Sequence, residues 1–149
     1  MKDWEKDLSH FFEKRESKKQ HNEEKVKQKK SEVESFYSLK VVPAFEELKN
    51  ELEKHGREVS VYASKEHASI AVKFEGVEEY HYAIKVRIFP NRAFPYPETH
   101  FTSKKDGKSY KSEGFIRSGS QDYDIADISK EEIIHNFLEG YKLHVEYYD

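Results

Sequence analysis

Residues 58–90 read EVSVYASKEHASIAVKFEGVEEYHYAIKVRIFP, and apolar side chains recur there at every second position. Val59, Val61 and Ala63 alternate with Glu58, Ser60 and Tyr62. From His67 to Phe74, Ala68, Ile70, Val72 and Phe74 fall on one face. In the third and longest run Tyr80, Tyr82, Ile84, Val86 and Ile88 share one face, with His81, Ala83, Lys85 and Arg87 on the other. A period of two sends successive side chains to opposite sides of a pleated strand. The stretch therefore predicts three strands, with residues 64–67 as the first turn.

Downstream, Phe89-Pro90 closes the third strand, and the proline-rich stretch 90–97 is expected to be a loop. A fourth strand is expected over Thr99–Ser103 and a fifth over Ser109–Arg117. Lys105-Asp106-Gly107-Lys108 between them reads as a hairpin turn, since Asp-Gly supplies positive φ angles. Residues 118–121 read as loop. Near the C-terminus the period returns to 3.6. Ser129 and Glu132 have the spacing of a capping box, and Ile128 and Ile133 that of a hydrophobic staple. Ile134, Phe137, Leu138, Tyr141 and Val145 continue the apolar stripe of a helix that Gly140 is expected to weaken, end or bend.

Upstream of the strands, Val33, Phe36, Tyr37, Lys40, Val41, Ala44, Phe45, Leu48 and Leu52 lie on one helical stripe. Pro43 interrupts it, so the helix either kinks near residues 40–42 or restarts with Pro43 in its first turn. Gly56 is placed as a C-terminal stop. The predicted fold is thus α+β: a long N-terminal helical segment, an antiparallel sheet of about five strands, and a C-terminal helix packed on one sheet face. Because the strands alternate, the other sheet face is either wet or covered by a partner.

The chain before residue 32 has a different character. Residues 13–31 hold eight Lys or Arg and four Glu, a local excess of +4, with Val26 as the lone apolar side chain. Such a segment cannot bury itself. Ahead of it, Trp4, Leu8, Phe11 and Phe12 recur at i, i+4, i+7 and i+8, the spacing of a short amphipathic helix. That helix either folds back onto the core or docks on a partner. We divide the chain into a charged helical arm, 1–31, and a single α+β domain, 32–149. No sustained heptad seam marks the arm as a coiled coil.

Composition excludes several classes of function. There is no Cys among the 149 residues, hence no disulfide, thiolate metal site or cysteine nucleophile. No apolar run approaches the roughly 20 residues that span a bilayer, and Met1–Glu5 lacks the apolar core of a signal peptide. These features predict a soluble cytoplasmic protein without membrane contact. The formal net charge of −3 is unevenly spread: residues 122–149 carry two basic and eight acidic groups, a net −6.

No catalytic motif of high specificity is present. The eight His include no i, i+4 pair; His67, His81 and His100 fall on separate strands, where they read as polar surface groups. Asp122, Asp124 and Asp127 lack the central Gly and closing Glu of a calcium loop and read as loop-shaping residues. Ser118-Gly119-Ser120 lacks the context of a nucleophile elbow. We expect no enzyme, no metal and no cofactor.

The segment Tyr82–Pro90, followed by Tyr96-Pro97 and Thr99–Ser103, resembles the strand–proline loop–strand of ubiquitin-conjugating and RWD domains, and a helix on either side matches too. The resemblance covers about twenty-five residues. With no Cys the catalytic position of the conjugating enzymes is absent, so it implies a non-catalytic binding relative.

The expected function is that of a small interaction domain whose partner-binding residues are Trp4, Leu8, Phe11 and Phe12, and whose partner is another protein or a second copy of itself. The alternative is nucleic-acid binding through a Lys/Arg-rich strand face holding Lys73, Lys85, Arg87 and Arg92, with Lys104, Lys105, Lys108 and Lys111 nearby and tyrosines interleaved.

Overall fold

The computed structural model describes residues 2–102, 107–117 and 122–148, with side chains to residue 146. The expected turn at 105–108 and loop at 118–121 lie wholly or partly outside the described residues, as does Ser103. The order is α1 (Asp3–Phe36), a π-helical turn (Tyr37–Val41), α2 (Val42–Glu53), β1 (Glu58–Ala63), β2 (Ala68–Phe74), β3 (Val77–Phe89), β4 (Arg92–Thr102), β5 (Ser109–Glu113), a 3₁₀ turn (Ile125–Asp127) and α3 (Lys130–Tyr148). The five strands form one antiparallel meander in sequence order. The α+β architecture read from the sequence is therefore the observed one.

Helices cover one face of this sheet. Val33, Phe36, Tyr37, Val41, Ala44, Phe45, Leu48 and Leu52 from the helical side meet Val59, Ile70, Val72, Tyr82 and Ile84 from the strands, with Ile133 and Phe137 of α3 closing the layer. Burying a side chain of this size contributes roughly 1.5–3 kcal/mol. Aromatic rings dominate the centre: Tyr82 stands edge-on to both Phe45 (5.9 Å between centroids) and Phe137 (5.3 Å). The Tyr37 hydroxyl donates to the Ile84 carbonyl at 2.8 Å inside the core, tying the helical rod to the middle strand.

Pro43 is accommodated without a break. Just before it, over Tyr37–Val41, the helix widens into a π turn, where the Val42 N–H donates to Tyr37 O, and Pro43 then sits in the first turn of α2. There its missing N–H costs little. Lys40, the polar member of the predicted stripe, is half-buried; its Nζ donates to the carbonyls of Ile128 (2.7 Å) and Ile125 (3.3 Å). Gly56, at φ 79°, ends α2 as expected.

Three strand boundaries differ from the sequence reading. β3 begins at Val77, because Glu75 and Gly76 form a two-residue turn with positive φ at both positions; a register shift opposite Val72/Lys73 hides the continuity. The proline-rich stretch is not a loop: the turn is Pro90-Asn91 alone, and β4 carries Pro95 and Pro97 opposite Val86 and Ile84. β5 pairs only with Glu98–Thr102. At both prolines, therefore, one side of β4 has no strand neighbour and the missing N–H forfeits no ladder bond. β5 ends at Glu113, four residues earlier than predicted.

The C-terminal signals hold. Glu132 N donates to Ser129 Oγ (3.1 Å), Ser129 N to Glu132 Oε2 (3.3 Å), and Ile128 and Ile133 are buried. The acidic cluster shapes the preceding loop: Asp124 and Asp127 cap the 3₁₀ turn reciprocally, and Asp124 also accepts from Ala93 N at 2.7 Å.

Candidate functional site

The arm is helical without interruption. α1 runs for 34 residues, so residues 4–12 and 13–31 form one rod. At 1.5 Å per residue, Phe12 lies roughly 30 Å and Trp4 roughly 45 Å from Val33, the first buried residue of α1. That reach exceeds the radius of a domain of this size. The rod leaves its terminal patch in solvent: Trp4 is 62% exposed, Leu8 49%, Phe11 57% and Phe12 54%. The possibility that this segment folds back on the core is not what the structure shows. Phe11 and Phe12 pack edge-to-face on each other, at 5.3 Å. Only the base of the arm is held. Lys29 lies 3.0 Å from Glu32 and 3.6 Å from Asp124, and the hydrogen bond to Glu32, outweighing burial, raises its ammonium pKa.

A second apolar feature lies on the domain itself. Between α3 and the β3–β5 end of the helix-covered sheet face is a cleft of about 610 Å³, lined by Tyr80, Pro97, Phe101, Phe115, Gly140 and Leu143 among others. Phe115 and Leu143 at its mouth are 47% and 68% exposed. At its polar wall the Tyr82 hydroxyl donates to Asn136 Oδ1 (2.7 Å) and Asn136 Nδ2 donates to Phe115 O (3.1 Å). Gly140 sets how deep it is: α3 continues through it to Tyr148, and a Cβ would overlap the Tyr80 hydroxyl. Burial pushes the Tyr80 phenol up, so it stays neutral. Sequence reasoning missed the cleft because its lining comes from four separate elements, and its one local signal, a Gly inside a strong helical stripe, reads equally as a helix breaker.

The open sheet face carries the cations considered for nucleic acid, and most are already engaged. Lys85 (3.0 Å) and Lys111 (3.4 Å) converge on Glu98, whose side chain is 5% exposed, and His100 donates to it at 2.9 Å. Burial alone would raise the Glu98 carboxyl, but the His100 hydrogen bond and the two ammonium groups outweigh it and hold it down at about 2. Arg87 pairs with Glu113 (3.1 Å) and lies 4.4 Å over the Tyr96 ring; Arg92 pairs with Asp122 (3.0 Å). Lys73 stands apart, exposed near the β2–β3 turn. The four residues do not converge. His81 and His100 do meet across β3 and β4, with ring centroids 5.3 Å apart. Burial, aided by the nearby His100 and His67 against the pull of Glu78, lowers the His81 imidazole pKa. Among the described residues no group of three His, Asp or Glu is placed to hold a metal ion, and no helix is long and apolar enough to cross a membrane.

No family model matches the chain, and no solved structure matches it. Among curated proteins it is similar to a glycine betaine transporter of Acinetobacter baylyi, at 24% identity over 116 residues. The match takes in 78% of this chain but 17% of the transporter, so the chain spans a small part of that protein's length.

Proposed function

We propose that the chain is a non-enzymatic, cytoplasmic protein-interaction domain that engages its partner through the apolar patch at the tip of α1. One observation carries the reading: Trp4, Leu8, Phe11 and Phe12 form one exposed patch, held away from the core by a charged helical span, residues 13–31, whose lone apolar side chain is Val26. Clustered aromatics of this kind are the anchors of helix-in-groove contacts. The charged span works as a stiff spacer, since it is helical throughout. A nucleic-acid contact through the sheet face is the weaker reading, since Lys85, Arg87 and Arg92 are each paired with a carboxylate.

The test is the double variant Phe11→Glu/Phe12→Glu in the full chain. Both side chains are more than half exposed, so folding is expected to survive and association to be lost. Light scattering gives the molar mass, and affinity capture with tagged chain gives bound proteins. A variant whose mass and captured set both equal those of the unaltered protein overturns the reading.

A further inference from the structure

We propose that the arm's partner is a second copy of this chain, and that the arm tip of each copy docks in the α3–sheet cleft of the other. The proposal rests on the interaction role assigned above to Trp4, Leu8, Phe11 and Phe12, and it names the receptor.

Three observations converge on it. The first is reach. An uninterrupted 34-residue helix from Asp3 to Phe36 carries the patch well past its own domain, so the cleft beside α3 is out of range for the arm of the same chain and open to that of another. The second is charge. Residues 13–31 carry a net +4 and residues 122–149 a net −6. Two arms side by side would bring like charges together, whereas an arm crossing α3 brings opposite ones, including the exposed Glu131, Glu139 and Glu146. The third is area. Three aromatics and a Leu that are already half-covered can bury roughly 300–500 Å² more per arm. With a matching area on the cleft, one contact reaches about 600–1,000 Å², below the roughly 1,200–2,000 Å² of a stable interface. Two reciprocal contacts, related by a two-fold axis, reach that range.

The cleft suits this occupant. It is mainly apolar, with one polar wall at Asn136 and Glu139; its mouth is formed by the exposed Phe115 and Leu143, and its volume of about 610 Å³ has the size of pockets that take ring-containing ligands.

Trp4 is the single tryptophan of the chain, so its fluorescence reports the docked state. In the 149-residue chain we expect dimer mass by light scattering and a Trp4 emission that shifts to shorter wavelength as concentration rises, both weakened at least several-fold between 50 mM and 500 mM salt. Leu143→Glu and Phe115→Glu, exposed substitutions at the cleft mouth, are expected to give monomers with solvent-exposed Trp4. A complementation experiment isolates the contact. Leu143→Glu supplies an intact arm and a blocked cleft; Trp4→Phe/Phe11→Glu/Phe12→Glu supplies an intact cleft and a silent, blocked arm. Mixing them leaves one competent arm facing one competent cleft, so the Trp4 shift that neither shows alone is expected to return, but only at concentrations well above those at which the unaltered chain dimerises, as befits half of the reciprocal interface.

A full chain that stays monomeric at all concentrations overturns the proposal. So does a dimer lost with Phe11→Glu/Phe12→Glu but retained with both cleft variants; the arm's interaction role then stands and the receptor is wrong. A dimer indifferent to the arm substitutions overturns the proposal and the arm's role together.

Discussion

Gly140 of α3 lies against the hydroxyl of Tyr80 on β3, with the Tyr80 Cζ 3.4 Å from where a Cβ would stand. The contact inverts the usual ranking of Gly and Ala. By propensity alone, Gly140→Ala would stabilise a mid-helix position by about 1 kcal/mol. Here the added methyl must displace a Tyr that is 3% exposed and packed on Tyr82, Phe137 and Tyr141. We expect net destabilisation of roughly 1–3 kcal/mol, read as a lower midpoint in urea. A raised midpoint would mean that α3 can slide away from the sheet at no cost.

Glu98 makes stability depend on pH at the acid end. Its folded pKa, about 2, lies below the ordinary value of 4.5. A depressed carboxylate contributes stability that is fully present above the unfolded pKa and is lost as pH falls through the folded one, here between about 4.5 and 2. Lys85 and Lys111 are 35% and 56% exposed, so solvent screening limits the effect to on the order of 1 kcal/mol. Glu98→Gln is expected to lose that increment at pH 7 and to flatten the curve below pH 4.5. Thermal melts of both proteins across that window decide it, and identical acid limbs would contradict the assignment.

Tyr37→Phe removes the hydroxyl that donates to Ile84 O in the core. The expected cost is about 1–2 kcal/mol, since the carbonyl loses its side-chain donor inside a closed site. A change below about 0.3 kcal/mol in equilibrium unfolding would show that the bond contributes little beyond ring packing.

Removal of residues 1–26 is expected to leave the domain's own stability within about 0.5 kcal/mol of the full chain, measured at concentrations too low for association. The lost residues touch the core nowhere that matters: the first anchors are Lys29, beside Asp124, and Val33. Circular dichroism should lose helical signal while the unfolding midpoint holds. A large drop in midpoint would place part of the core-stabilising contact in the arm.

The elements with strong local chemistry were legible from residues alone. The Ser129–Glu132 box, the Gly56 stop and the stripe from Val33 to Leu52 each appear as read, because caps and periodicity act over a few residues. What escaped the reading depends on neighbours distant in sequence. Pro95 and Pro97 look like loop residues until β5 is seen to stop short of them. The start of β3 at Val77 is masked by a bulge that breaks the alternation. The continuity of the arm follows from the absence of Gly and Pro between residues 13 and 31, but whether its tip returned to the core turned on length and direction, which periodicity does not encode. The cleft needed three-dimensional assembly outright.

The π turn has a geometric consequence for the arm. Because Tyr37–Val41 joins α1 to α2 without a flexible joint, the domain aims the tip as a handle aims a blade. Each residue inserted or deleted between Phe12 and Val33 moves the tip by 1.5 Å and swings its azimuth by about 100°. Beyond helix formers and a net positive charge the identity of the residues there matters little, whereas their number matters: seven removed residues return Trp4 and Phe11 to almost the same bearing, and two leave them facing the opposite side.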